Sequence, residues 1–105
     1  MKMIRAVIRP EKEQDVVDKL SEAGVPGLTK MDVLGRGRQK GIQVGSTVYD
    51  ELAKTMFMVV VPDDKLPAAI GAIQEGAYTG NFGDGKIFVT AVEQATTIRT
   101  GAKES

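Results

Sequence analysis

The residues of this chain best suited to chemistry lie in the stretch Thr79–Val89, Thr-Gly-Asn-Phe-Gly-Asp-Gly-Lys-Ile-Phe-Val. Gly80, Gly83 and Gly85 lack the Cβ that forbids positive φ, so successive backbone N–H groups there can turn inward on one oxyanion. Lys86 closes the stretch with a full positive charge. Phosphate is the guest such a nest suits. The spacing also satisfies Gly-x-x-x-x-Gly-Lys, the core of a P-loop, but a P-loop needs Ser or Thr after the lysine and a helix starting there. Here Ile87 follows and opens an apolar, β-branched run to Val92, which is strand-like. Two readings stay open on spacing alone: an anion nest feeding a strand, or a glycine-rich hairpin with no ligand.

A second cluster, Gly35-Arg36-Gly37-Arg38-Gln39-Lys40-Gly41, is basic and glycine-rich. As a nucleic-acid patch it lacks interleaved aromatics and sits in a chain with 14 basic and 14 acidic residues and zero formal charge. A dinucleotide fingerprint fails because no helical pattern follows the glycines. What remains is a solvated loop or a second phosphate-facing element. In the latter, glycines allow close approach, Arg38 grips a phosphate bidentately and Gln39 offers a neutral oxygen to Mg²⁺. The chain has neither cysteine nor histidine. That removes disulfides, thiol nucleophiles, the commonest general base and the commonest metal ligand. Ordinary catalysis is disfavoured.

The elements that must position these clusters read as follows. Lys2–Arg9 alternates, with Ile4, Ala6 and Ile8 on one face and Met3, Arg5, Val7 and Arg9 on the other, as a strand does. Pro10 starts a helix whose apolar face is Val16, Val17, Leu20 and Ala23, and Gly24 stops it. Leu28–Leu34 is a more polar strand, suited to a sheet edge. The stretch from Gly35 to Ala53 has no clear period, and a loop that long in a small domain is functional or disordered. Thr55–Val61 is apolar on both sides and must be covered on both. Asp64 is the expected N-cap of a second helix with Leu66, Ala69, Ile70, Ile73 and Ala77 on its face, and Gly71 weakens that helix. The glycine stretch, a strand Lys86–Val92 and a tail Glu93–Ser105 complete the chain.

The order β-α-β, loop, β-α-β is the split βαβ of the ferredoxin-like superfold, an α+β class, in one domain of 105 residues. The right-handed crossover rule puts both helices on one sheet face. Another copy of the protein is the expected cover for the other face. Within one subunit the loop after strand two and the nest before strand four need not meet; across a subunit interface they could. No stretch reaches the length of a membrane span and no secretory leader is legible in Met1–Pro10, so a cytoplasmic protein is expected.

With these residues in place the chain resembles the PII signal-transduction family along essentially its whole length. The matching motifs are Gly-Arg-Gly-Arg-Gln-Lys-Gly (35–41), Val-Val-Pro-Asp-Asp (60–64), Thr-Gly-Asn-Phe-Gly-Asp-Gly-Lys-Ile-Phe (79–88) and Ile-Arg-Thr-Gly (98–101). The resemblance implies a homotrimer with inter-subunit clefts for ATP or ADP and a flexible "T-loop" over Gly37–Ala53. In the family, Mg-ATP and 2-oxoglutarate together reshape that loop, and the resemblance implies that it docks on or releases a target of nitrogen metabolism. By position, Lys86 and Arg38 would hold phosphates, with Gly83, Asp84 and Gly85 lining the nest and Arg99 reaching in from the C-terminal segment. Gly37 would lie at the nucleotide beside Arg38, and Thr29, Gly35 and Val60 would border the adenine, with Val7 packing nearby. Gln39 would ligate Mg²⁺, and Lys40, Gly41 and Lys54 would meet the 2-oxoglutarate carboxylates.

Two departures from the family pattern stand out. Thr97 occupies the place of a usual second arginine, which removes a phosphate contact. The loop is shorter and lacks the motif around the uridylylated tyrosine of bacterial members, so Tyr49 is read as a contact or packing residue. The loop Gln39–Met56 is similar to the nitrogenase-associated branch, whose members act with a second PII-type paralogue and inhibit nitrogenase. The resemblance thus implies a hetero-oligomer with such a paralogue and a nitrogenase component as target. A PII regulator of an ammonium transporter or glutamine synthetase is the alternative. A small phosphate-handling enzyme is more remote, since only Asp84, a lysine or an Asp/Glu pair could serve it.

Overall fold

A computed structural model describes residues 1–36 and 51–104 of the protein. Gly37, Arg38, Gln39, Lys40, Gly41 and Tyr49, on which part of the sequence reading rests, lie outside the described residues. The strands are β1 (Lys2–Ile8), β2 (Thr29–Gly35), β3 (Leu52–Val61), β4 (Gly85–Ala91), β5 (Ala95–Thr96) and β6 (Lys103–Glu104). The helices are α1 (Glu13–Glu22) and α2 (Leu66–Ala77), each entered through a short 3-10 turn, Pro10–Lys12 and Asp63–Lys65. The first four strands form one antiparallel sheet in the order β2-β3-β1-β4. Its order and connectivity are those of the ferredoxin-like split βαβ fold.

Alternation along β1 carries through to burial. Ile4, Ala6 and Ile8 are sealed under the helices together with Phe57, Val59 and Val61 of β3. From above, Val16 and Leu20 of α1 and Ala69, Ile73 and Ala77 of α2 fill the same core. The two helices meet at backbone distance: a Cβ on Gly76 would lie 2.9 Å from the Cα of Val16. Gly76 therefore sets how closely α2 approaches α1. Gly71, by contrast, has open space around it, so its cost is the intrinsic propensity deficit of about 1 kcal/mol relative to Ala.

The polar strand β2 takes an edge, as its composition suggests. It is tied inward by Glu13 at the start of α1, which accepts from Lys30 Nζ at 2.8 Å and from the buried Thr55 hydroxyl at 2.7 Å. Those two bonds hold the Glu13 carboxyl below the usual carboxylate range.

The opposite sheet face has no cover from its own chain among the described residues. Met56 and Met58 are half-buried there, while Met31, Val60 and Phe88 are 40%, 44% and 51% exposed. β3 is thus apolar on both sides with only one side packed.

Strand ends shift by a residue from the sequence reading in β1, β2 and β4, and three features differ more. β3 begins at Leu52 rather than Thr55, because Gly35↔Leu52 and Leu34↔Ala53 extend the β2–β3 ladder past the helices. Leu52 and Ala53 accordingly belong to a strand and not to a loop ending at Ala53. Asp64 caps no helix with its side chain. The 3-10 turn does the work instead, with the Lys65 amide donating to the Pro62 carbonyl at 3.0 Å. The tail contains a small hairpin, β5 with β6, closed by Thr97 N–H to Ala102 O at 2.8 Å and Gly101 N–H to Thr97 O at 2.7 Å.

Candidate functional site

At the C-terminal end of β1 the glycine stretch enters β4. Register places Ile8 opposite Gly85 and Val7 opposite Lys86. Gly85 has φ +114°, and a Cβ there would sit 1.8 Å from the Val7 carbonyl oxygen. Only glycine lets the incoming loop lie so close to the β1 backbone. Val7 and Lys86, paired across the ladder, share the uncovered face of the sheet. Lys86 is exposed and, among the described residues, makes no ion pair.

The loop from Thr79 to Asp84 is organised around an anion of its own. Asp84 Oδ2 accepts from the backbone N–H of Thr79 and of Gly80, both at 2.8 Å. Its Oδ1 accepts a short hydrogen bond from the Thr79 hydroxyl and one from Arg9 Nε at 3.1 Å. Arg9 also donates from Nη2 to the Phe82 carbonyl at 2.6 Å. Lys54, from β3, donates to the Gly83 carbonyl at 2.7 Å. Burial and the neighbouring Arg9 guanidinium push the Lys54 ammonium below its ordinary pKa. Lys54 also flanks Gly35, whose Cβ position lies 3.2 Å from its Cγ. Two N–H groups of the expected phosphate nest are thus already filled by a carboxylate.

Partial burial pushes the Asp84 carboxyl up, but the bonds from Thr79, Gly80 and Arg9 outweigh it and hold the group far below the usual carboxylate range. Because the folded-state pKa lies below the unfolded one, the contribution to stability is complete above about pH 5 and drains away as pH falls. The thermal midpoint is therefore expected to fall on acidification from about pH 5 toward pH 3. Asp84→Asn should be less stable at neutral pH and show a shallower acid slope. Equal slopes for the two proteins would assign the acid sensitivity to other carboxylates.

Gly35, Lys54, Gly83, Asp84, Gly85, Lys86 and Val7 gather at one end of the sheet. Val60 does not join them. It sits opposite Met3, four residues along β1 from Val7, or about 13 Å at strand rise. Thr29, opposite Met58, lies between. Arg99 is exposed in the turn of the C-terminal hairpin. The base of that hairpin, Ala95 and Glu104, borders a depression of about 900 Å³ with Met1 and Val60–Asp64. Within one chain, then, Val60 and the base of the hairpin that carries Arg99 belong to the end of the sheet away from the glycine loop. Sequence reasoning missed Arg9 and Thr79 as loop organisers. The legible signal was an acid five residues after Thr79 and four after Gly80, near enough for a local side chain to cap backbone N–H groups.

The fold and this glycine-loop site define a small α+β domain of ferredoxin-like topology, and comparison with known proteins places it. Residues 1–102 match the family described as Nitrogen regulatory protein P-II. The chain is 60% identical over 100 residues to a nitrogen fixation nifHD region glnB-like protein 1 of Methanococcus maripaludis, covering 95% of each chain. It is 56% identical over 103 residues to the protein of that description from Methanobacterium ivanovii, covering 98% of each. It is 46% identical over 107 residues to a nitrogen regulatory protein P-II of Azospirillum brasilense, covering 98% of this chain and 96% of that one. The chain belongs to the P-II family, whose members are signal-transduction regulators and not enzymes.

Proposed function

We propose that this protein senses ATP or ADP together with 2-oxoglutarate and controls nitrogenase through its T-loop. The observation that carries the reading is the glycine loop held against β1, which presents Lys86 beside Val7 on the uncovered sheet face. An exposed ammonium and a close backbone approach fit a nucleotide's phosphates. Among the described residues no group of three acidic, His or Cys side chains gathers to cage a metal. In this reading Mg²⁺ arrives with the phosphates and is completed by Gln39. Arg38 and Lys86 hold phosphate; Gly37, Gly83 and Gly85 give close approach; Lys40, Gly41 and Lys54 take the 2-oxoglutarate carboxylates.

The separation of Val60 and the hairpin base from the glycine loop supports a cleft shared between subunits. One subunit would supply the phosphate end and its neighbour the hairpin with Arg99. The uncovered apolar face supports the same assembly, a homotrimer with sheets turned inward. Relatives described by a nifHD region support nitrogenase as target and a second P-II-type paralogue as partner. Among the described residues no helix is long and apolar enough to cross a membrane; the cytoplasm is the proposed location.

Calorimetric titration of 2-oxoglutarate with and without Mg-ATP tests this reading. 2-Oxoglutarate is expected to bind only with Mg-ATP present, and Gln39→Ala should abolish that dependence. Binding of Mg-ATP with no 2-oxoglutarate response would leave an energy-charge sensor and sink the nitrogen-signal half.

A further inference from the structure

A loop built to receive phosphate should leave its inward N–H groups open, yet two of them are occupied. The Asp84 carboxylate takes the amides of Thr79 and Gly80 and the Thr79 hydroxyl. Arg9, from the end of β1, then binds that carboxylate and the Phe82 carbonyl together. Asp84 and Arg9 are about three-quarters shielded, at 22% and 25% exposure. Their bonds span the whole turn between α2 and β4, and the residues that follow directly are Gly85 and Lys86.

We infer that Arg9 and Asp84 are positioning residues for phosphate recognition. Asp84 acts as a built-in anion that shapes the loop from inside, and Arg9 pins that loop to the sheet. Gly83, Gly85 and Lys86 are thereby set in place before any ligand arrives. The inference rests on the nucleotide-sensing reading and deepens it: Asp84 touches neither phosphate nor Mg²⁺, and the external anion is met by its neighbours. Preorganisation of this kind lowers the ordering cost of binding. Its replacement by asparagine would leave one acceptor oxygen where two are used and turn an NH₂ group toward N–H donors.

The charge of Asp84 makes the inference testable by sign. A carboxylate beside a polyphosphate repels it, so on electrostatics alone Asp84→Asn should tighten nucleotide binding. The clamp requires the reverse. Arg9→Lys keeps the positive charge and loses the two-pronged grip, so a purely electrostatic role predicts unchanged affinity. The experiment pairs Mg-ATP calorimetry with backbone amide hydrogen exchange on the full chain and both variants. Each variant is expected to weaken Mg-ATP at least tenfold and to speed exchange of the Thr79 and Gly80 amides at least tenfold. The amides of Ile4 and Phe57 should stay protected, which shows the fold intact. Unchanged or tighter Mg-ATP binding by Asp84→Asn, or unchanged exchange at Thr79 and Gly80, overturns the inference. If the unsubstituted protein binds no Mg-ATP, the nucleotide reading fails and takes the phosphate role with it. The exchange rates then still decide whether the clamp exists.

Discussion

Gly85→Ala is expected to destabilise the protein by at least about 4 kcal/mol, a loss reached only through a named structural conflict. Two costs combine. The φ of +114° is one that a residue with a Cβ rarely adopts, and forcing it costs roughly 1–3 kcal/mol. The new methyl would also stand 1.8 Å from the Val7 carbonyl oxygen and 2.9 Å from its carbon. These are backbone atoms of a central strand, so no side chain can swing aside. Relief requires parting β4 from β1 at the Ile8↔Gly85 pair. The thermal midpoint should drop by roughly 15 °C or more for a chain this size. A midpoint within about 5 °C of the unsubstituted protein would mean that the loop can enter β4 by another path, contrary to the geometry described.

Phe57→Ala carries the second large expectation, a loss of about 3–5 kcal/mol in urea unfolding. Phe57 is fully buried on β3, directly opposite Ala6 of β1, which is in turn opposite Ile87 of β4. The sheet thus runs large, small, large across its covered face. Little can collapse into the vacancy, because the helices overhead already touch backbone to backbone at Gly76 and Val16. The midpoint should move with the slope unchanged, since the surface exposed on unfolding is nearly the same. A loss below about 1.5 kcal/mol would show that the layer above Ala6 repacks freely.

Much of this architecture was readable from residue order because one sheet face is buried and the other is not. That asymmetry writes period two into β1 and helical period into Val16–Leu20 and Ala69–Ile73, and those patterns survive in the burial. The start of β3 was not readable for a matching reason. Leu52–Lys54 pairs with the edge strand beyond the helices, so no packed face demands apolar residues there. The contact at Gly76 is equally silent in sequence, since a glycine inside a helix looks the same whether or not another helix lies against it.

Two aspartates show where local reading succeeds and fails. Asp64 has the sequence context of a helix cap, yet a 3-10 turn supplies the helix start through backbone bonds. Asp84 reads as part of the lining of a phosphate nest, yet its carboxylate is the guest of two of the nest's own amides. Asp64 finds no amide to cap, whereas Asp84 finds two. Spacing states what a backbone N–H can reach and leaves open which acceptor reaches it first. Arg9 escaped notice because its partners lie more than seventy residues away, at sequence separations of 75 and 73.

The central position of β1 also has a meaning in time. It leaves the ribosome before either of its neighbours, which pair with it through Thr55–Val61 and Gly85–Ala91. Such pairings close only after a large loop entropy has been met, and domains of this kind fold as units once their partners exist. During synthesis the apolar side of β1 must therefore wait without a sheet to join. Arg9 waits longer still, for a carboxylate that is translated after both helices. The glycine loop is consequently among the last parts of the molecule to take shape, and a nascent chain arrested before Phe82 would carry the cation of its clamp with neither of its partners yet made.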